Sequence, residues 1–251
     1  MVHFVGAGPG AADLITLRGL KYLSEADVII YAGSLINKEL LNYGKAEAEM
    51  HNSAHMTLEK VIDVIKRAEK ENKDTVRLHT GDPSIYGAIR EQIDILKSMD
   101  IQYDVVPGVS SFCGAAASLN AEYTLPDVSQ SVIITRMKGR TSVPERESIG
   151  SFAAHRSTMI LFLSSGLTEE LSKELIEGGY EKNTPVAVVY KATWPDEKIF
   201  RCTIESLHQT MKDNNITKTA LILVGNFLGH DYERSKLYSP KFTHGFREGI
   251  K

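Results

Sequence analysis

The sequence is poor in cysteine and in long apolar runs, and each shortage excludes a class of protein. Cys113 and Cys202 are the only cysteines among 251 residues, and no C-x-x-C occurs. A disulfide scaffold and a cysteine-rich metal cluster are thereby excluded, and the two thiols read as reduced side chains of a cytoplasmic protein. No stretch approaches the ~20 consecutive apolar residues of a membrane-spanning helix. The chain enters a strand-like run at once, so no signal peptide is expected. Charge of one sign is scarce too: 29 Lys and Arg face 32 Asp and Glu, a net of −3. With no basic block to follow a phosphate backbone, nucleic acid is not an expected partner. What is present is ordinary: 42% hydrophobic and 24% charged residues, at a length suited to one large domain or two small ones.

Two series of alternating strands and helices are expected. In residues 1–119, strand-like runs fall at 4–6, 28–31, 75–80 and 103–106. Between them Leu58, Val61, Ile62, Ile65 and Ala68 recur at helical spacing behind Thr57, a candidate N-cap, and so do Ile89, Ile93 and Leu96. Residues 120–130 lose the pattern at Pro126-Asp127 and read as a link. In residues 131–251, strands are expected at 132–135, 158–163, 186–190, 200–203 and 221–224. A helix opens at Thr168 with Glu169 and Glu170 and is ended by Gly178-Gly179. The tail from His230 is polar with scattered aromatics and receives no assignment. The expected fold class is α/β: two consecutive α/β domains, 1–119 and 131–251, with mostly parallel or mixed sheets.

The first strand runs into Gly6-Ala7-Gly8-Pro9-Gly10, three glycines within five residues, and an amphipathic segment begins at about Thr16. Glycines let a backbone approach a ligand closely and adopt positive φ. The plainer alternative is a tight turn; the sharper one is a ligand loop at the carboxyl end of a first strand. A dinucleotide fingerprint fits poorly, because Pro9-Gly10 intervenes before the helix and the second strand ends in Tyr31-Ala32-Gly33-Ser34, without a carboxylate for a ribose. NAD is therefore disfavoured.

Two further blocks follow in order: Gly81-Asp82-Pro83-Ser84-Ile85-Tyr86-Gly87 and Val106-Pro107-Gly108-Val109-Ser110-Ser111. With the first loop they resemble the signature of the tetrapyrrole (corrin and porphyrin) methylase family. The resemblance spans the chain to about residue 229. It implies two α/β domains that hold S-adenosyl-L-methionine between them, release S-adenosyl-L-homocysteine, and form a homodimer. Residue by residue it implies donor contacts at Pro9, Thr80, Gly81, Asp82, Ile85, Ser110 and Ser111. From shorter matches it adds Met137, Leu163, Ala192, Thr219 and Ala220. The stretches Tyr31-Ala32-Gly33-Ser34-Leu35 and Thr135-Arg136-Met137-Lys138-Gly139-Arg140-Thr141 resemble the subgroup that methylates C-11 of precorrin-4 or cobalt-precorrin-4 in cobalamin biosynthesis.

Methyl transfer from a sulfonium to carbon expels a neutral thioether, so positioning supplies much of the acceleration and no acid is needed. No catalytic triad is found, and no catalytic residue is assigned. Tetrapyrrole precursors carry several carboxylates, for which Arg136, Lys138 and Arg140 are the candidate substrate contacts, Arg136 foremost. The alternative for each is a solvated basic loop. His51 and His55 stand four apart, yet Asn52-Ser53 argue against a helix, so they read as two exposed histidines rather than metal ligands. His79 reads as a packed strand histidine. Two rivals stay open: a methylase of the same fold acting on an RNA nucleotide or a diphthamide precursor, and a non-catalytic S-adenosyl nucleotide sensor.

Overall fold

The computed structural model describes residues 1–250, without the Ser34 side chain; Lys251, last of the expected second domain, lies outside them. The chain forms two compact units. The first comprises Met1–Ala115 and Lys191–Glu197; the second comprises Ala116–Tyr190 and the chain from Lys198 onward. The short segment that folds with the first unit, although its neighbours on both sides fold with the second, is not visible in the sequence pattern. Its side chains bond to the glycine loop, as described below.

The first unit is a five-stranded parallel sheet. Its strands are β1 (Val2–Gly6), β2 (Val28–Tyr31), β3 (Glu49–Asn52), β4 (Thr75–His79) and β5 (Tyr103–Val106), in the order β3-β2-β4-β1-β5. β1 and β4 are buried along their whole length, which explains their near-continuous apolar or shielded character. Helices cover both faces. α1 (Leu17–Glu25) is capped by Thr16, whose hydroxyl accepts from Gly19 N–H at 3.1 Å. α2 (Leu58–Lys70) is capped by Thr57 as expected, and it turns Val61, Ile62, Ile65 and Ala68 into the core. α3 (Ile89–Ser98) follows β4, and α4 (Ser111–Leu119) follows β5. One core layer gathers Phe4, Ile30, Ile65 and Leu96; the opposite layer gathers Val5, Leu23, Ile29 and Leu78.

This strand order creates a switch point. From β1 the chain goes to β2 on one side of it, whereas from β4, the neighbour of β1, it crosses to β5 on the other side. Adjacent strands whose connections diverge leave a crevice at their carboxyl ends, where open α/β sheets bind ligands. The loops after β1 and β4 are the first two glycine blocks.

The second unit has a mixed sheet of β6 (Val132–Arg136), β7 (Thr158–Phe162), β8 (Pro185–Tyr190), β9 (Lys198–Thr203) and β10 (Ala220–Val224). The order is β6-β7-β10-β8-β9, with β6 and β7 parallel and the other pairings antiparallel. Its core includes Met159, Leu161, Leu171, Leu175, Val188 and Ile222. α5 (Ile149–Ala153), α6 (Thr168–Gly178) and α7 (Leu207–Asp213) flank the sheet. Gly179, at φ +129°, ends α6 as the Gly-Gly pair predicts. Residues 120–130 hold neither helix nor strand, and Thr158 Oγ1 donates to Tyr123 O at 2.9 Å. Among the described residues no helix is long and apolar enough to cross a membrane.

α5 and α6 touch through Gly178, where a Cβ would stand 2.6 Å from both the Gly150 carbonyl oxygen and the Ala153 Cβ. Gly178→Val should therefore cost about 1–3 kcal/mol through forced separation of the helices. Urea unfolding of the second-unit signal measures it, and an unchanged midpoint contradicts this packing.

Candidate functional site

Three loops meet at the carboxyl ends of β1, β4 and β5. Gly8 N–H donates to Gly81 O at 3.3 Å and Gly81 N–H donates to Gly8 O at 2.8 Å, so the first two loops are bridged in both directions. Gly8 has φ +80° and Gly81 φ +62°, a conformation that costs glycine nothing. The third loop is pressed on the same point: a Cβ on Gly108 would lie 2.1 Å from Gly81 O. Asp82 ties it there, its Oδ2 accepting from Gly108 N–H at 2.8 Å. Oδ1 accepts from Ser84 N–H at 2.8 Å and from the Ser84 hydroxyl. Partial burial pushes the Asp82 carboxyl upward, but these hydrogen bonds outweigh it and hold it below the usual carboxylate range.

The sequence-predicted residues of the first unit gather at this crevice. Pro9 is buried in the first loop; Thr80, Gly81, Asp82 and Ile85 lie on the second; Ser110, buried, and Ser111 end the third. Thr80 Oγ1 donates to Leu35 O at 3.2 Å. Beneath them on β4, Arg77 is buried and donates to Ile30 O at 3.2 Å and Gln92 Oε1 at 3.3 Å. Gln92 in turn donates to Ala88 O at 2.9 Å, at the start of α3. His79 is the packed strand histidine expected, 4% exposed, and its Nε2 has no hydrogen-bond partner among the described residues. Burial, then the neighbouring Arg77 charge, lowers its pKa to about 3, so the imidazole is neutral.

Ala192 belongs to the segment Lys191–Glu197 and is buried with the first unit. Next to it, Thr193 Oγ1 accepts from Ala11 N–H at 3.0 Å, and Trp194 Nε1 donates to Pro9 O at 3.1 Å. Asn37 Nδ2 donates to Gly10 O at 2.9 Å. Asn37, Thr193 and Trp194 escape sequence reasoning, because side chains reaching the loop from 27 to 185 residues away leave no local pattern. The one available signal is that Trp194 is the only tryptophan.

In the second unit, Met137, Leu163, Thr219 and Ala220 lie at one end of the sheet, where β6 and β7 finish and β10 begins. Leu163 is 71% exposed at φ +51°, and Thr219 is exposed at φ +58°. A bulky and a β-branched residue in the left-handed region are strained, and such strain gathers at binding sites. Met137 is buried in the core, its N–H donating to Ser164 Oγ at 2.9 Å. Ala220 is buried, and its carbonyl accepts from Ser165 Oγ at 3.0 Å.

The basic stretch follows β6. Arg136 donates to the carbonyls of Met137 at 3.2 Å, Thr141 at 3.4 Å and Ser142 at 2.8 Å, which curls the loop around its guanidinium. Lys138 and Arg140 are exposed. Arg136 and Lys138 share a cleft of about 320 Å³ with Val143, Pro144, Glu145, Ser148, Ile149 and Glu174.

The reading of His51 and His55 needs one correction. His55 is exposed, but His51 is half-buried on β3, where its Nε2 pairs with Glu49 Oε1 at 2.8 Å. Among the described residues no three His, Cys, Asp or Glu side chains are grouped as metal ligands. Cys113 and Cys202 are both free.

A parallel sheet with interlocked glycine loops at its switch point, continued by a mixed sheet, is the architecture of a methylase family. Residues 1–208 match the family model of the Tetrapyrrole (Corrin/Porphyrin) Methylases, and the chain belongs to that family. It is 55% identical over 251 residues to the cobalt-precorrin-4 C(11)-methyltransferase of Methanocaldococcus jannaschii, covering 100% of this chain and 97% of the relative. Identity to the enzyme of the same name from Priestia megaterium is 49%, covering 100% and 98%. The precorrin-4 C(11)-methyltransferase of Pseudomonas aeruginosa is 41% identical, covering 99% of each. Among solved structures, the cobalamin biosynthetic enzyme cobalt precorrin-4 methyltransferase, CbiF, superposes with a TM-score of 0.89 at 48% identity, over 91% of this chain and 96% of that one. The uroporphyrin-III C-methyltransferase of Thermus thermophilus shares the fold at a TM-score of 0.75 and 24% identity, over 90% and 92%.

Two acid-sensitive groups should be separable by pH. His79 is neutral when folded and protonatable when unfolded, so its contribution is complete above about pH 6.5 and is lost toward pH 3. Asp82, with a lowered pKa, stabilises above about pH 4 and loses this as pH falls through its folded value. His79→Leu should flatten the stability profile between about pH 6.5 and 4, whereas Asp82→Asn should flatten it only below about pH 4. Denaturant midpoints across this range check both slopes.

Proposed function

We propose that the chain is an S-adenosyl-L-methionine-dependent C-methyltransferase that methylates C-11 of cobalt-precorrin-4 in cobalamin biosynthesis. The carrying observation is the three-loop crevice, in which Gly8 and Gly81 hold positive φ and Gly108 is pressed against the Gly81 carbonyl. Family membership supports the reaction class. The 55% and 49% relatives, both named for the cobalt-loaded substrate, favour it over the metal-free precorrin-4 of the 41% relative.

The glycine-lined backbone fits a flat adenosyl group and a donor tail, because glycine puts no Cβ atom between the chain and a ligand lying against it. Bound S-adenosylmethionine supplies an electrophilic methyl group whose leaving group is a neutral thioether. The chain's own task is then to hold, orient and keep dry. Pro9, Thr80, Gly81, Asp82, Ile85, Ser110, Ser111 and Ala192 hold the donor from the first unit. Met137, Leu163, Thr219 and Ala220 complete its contacts. Asp82 stays ionised and acts by fixing the third loop, not by moving a proton. Lys138 and Arg140 meet substrate carboxylates, and Arg136 shapes the loop that presents them. Proximity and alignment can account for several kcal/mol of such a reaction's barrier. In this reading the enzyme is a cytoplasmic homodimer, as family resemblance implies.

S-adenosylmethionine and S-adenosylhomocysteine should both bind in a calorimetric titration, and NAD should not. Gly8→Val should abolish that binding, since a Cβ there meets Leu14 O at 3.0 Å and the backbone is at φ +80°. Tight binding of NAD alone, or a folded Gly8→Val protein with unchanged donor affinity, contradicts the assignment.

Neutralising the basic stretch should weaken tetrapyrrole binding and leave donor affinity intact. Lys138→Ala and Arg140→Ala, both exposed, should each cost about 0.2–1 kcal/mol, declining at high salt. Arg136→Ala should cost more, on the order of 1.5–3 kcal/mol, because three loop carbonyls lose a charged donor. Substrate titrations at two salt concentrations measure this, and three wild-type affinities would mean that the stretch is only a solvated loop.

A further inference from the structure

The turn Pro9-Gly10-Ala11 is held by side chains. Pro9 O accepts from Trp194, Gly10 O from Asn37, and Ala11 N–H donates to Thr193. Two of the three come from the connection between β8 and β9. Its flanking strands belong to the second unit, while Lys191–Glu197 itself folds with the first.

That connection is braced from within. Lys191 Nζ pairs with Asp196 Oδ2 at 2.5 Å, and Thr193 N–H donates to Glu197 Oε2 at 2.5 Å. Trp194 N–H donates to Lys191 O at 3.0 Å, and the Lys191 ammonium stands 5.4 Å from the indole centroid. Lys191 and Thr193 have φ +50° and +68°, the latter a β-branched residue in a region it normally avoids. The outward face is equally close-fitting. A Cβ on Gly10 would lie 2.1 Å from Trp194 Cδ1, and one on Gly114 would lie 2.9 Å from Pro9 Cβ and 3.2 Å from Thr193 Cγ2. The indole therefore lies directly over the backbone of Gly10, and only a glycine fits under it.

We infer that Trp194 and Thr193 are positioning residues for methyl transfer: they set the shape of the donor-binding turn from the β8–β9 connection. The inference rests on the donor reading above. It adds that donor affinity depends on two side chains acting through the Pro9 carbonyl and the Ala11 amide. A strained tip held by an internal ion pair and hydrogen bonds, and spent on two peptide groups of a ligand loop, is more than packing. Packing alone would not require an indole N–H and a hydroxyl at hydrogen-bond distance from consecutive parts of one turn.

The test uses the full chain and S-adenosylhomocysteine as probe. Trp194→Phe keeps an aromatic cover but loses the donor to Pro9, and Thr193→Val keeps the shape but loses the acceptor for Ala11. Each should raise the calorimetric dissociation constant roughly fivefold, the usual worth of one such hydrogen bond. Thr193→Ser restores the hydroxyl and should return the affinity to that of the wild type. The KM for donor should rise in the two weakened variants while the KM for tetrapyrrole stays put. Because Trp194 is the only tryptophan, its emission should change on titration with a midpoint at the calorimetric value. A lower melting temperature with an unchanged donor constant would make the residues merely structural and overturn the inference. Unchanged emission in a wild-type protein that binds the probe would do the same. If the wild-type protein binds neither S-adenosyl compound, the donor reading itself falls and takes this one with it.

Discussion

Everything at the crevice depends on how closely three backbones approach one another at Gly8, Gly81 and Gly108. Two reciprocal hydrogen bonds join the first pair, and the third glycine comes so near that a single Cβ would overlap a carbonyl oxygen. The hydrogen bonds alone are worth about 1 kcal/mol each. The exclusion of side chains is the stronger constraint, because nothing nearby can move without separating β1 from β4 or β5. The strand order puts this contact at the switch point, and Asp82 then locks the third loop with an ionised carboxylate.

Such a site is built for holding, and the chemistry proposed for it asks for little else. The buried imidazole of His79 is neutral and the buried guanidinium of Arg77 is spent on Ile30 and Gln92. Neither is poised to exchange a proton with a ligand. The strained residues Leu163 and Thr219 instead mark where the second unit gives up local comfort to shape a surface.

Much of this was legible in the sequence, for identifiable reasons. The expected strands recur within one or two residues, most plainly where a buried parallel strand is written as an unbroken apolar run, as at 28–31. The glycine blocks were legible because close backbone approach has only one residue that permits it. β3 was not, since Glu49-Met50-His51-Asn52 is a short, polar strand at the sheet edge, paired with β2. α4 was missed because Cys113 through Ala117 is small and apolar on every side, which leaves no periodicity. The clamp of Asn37, Thr193 and Trp194 was out of reach, because its logic is a hydrogen-bond pattern between distant segments. The same holds for Arg136, whose charge was legible but whose engagement with its own loop depends on where three carbonyls point.

The bond from Trp194 to Pro9 joins residues 185 apart in sequence. All five strands of the first sheet are encoded before residue 107, so that sheet can assemble while the rest of the chain is still being made. Its glycine turn, however, lacks two of its three side-chain partners until the β8–β9 connection has left the ribosome. At ordinary elongation speeds that interval is on the order of ten seconds. The nascent chain therefore passes through a stage in which the sheet exists and its ligand loop is still loose, so the newborn enzyme acquires its fold before its grip.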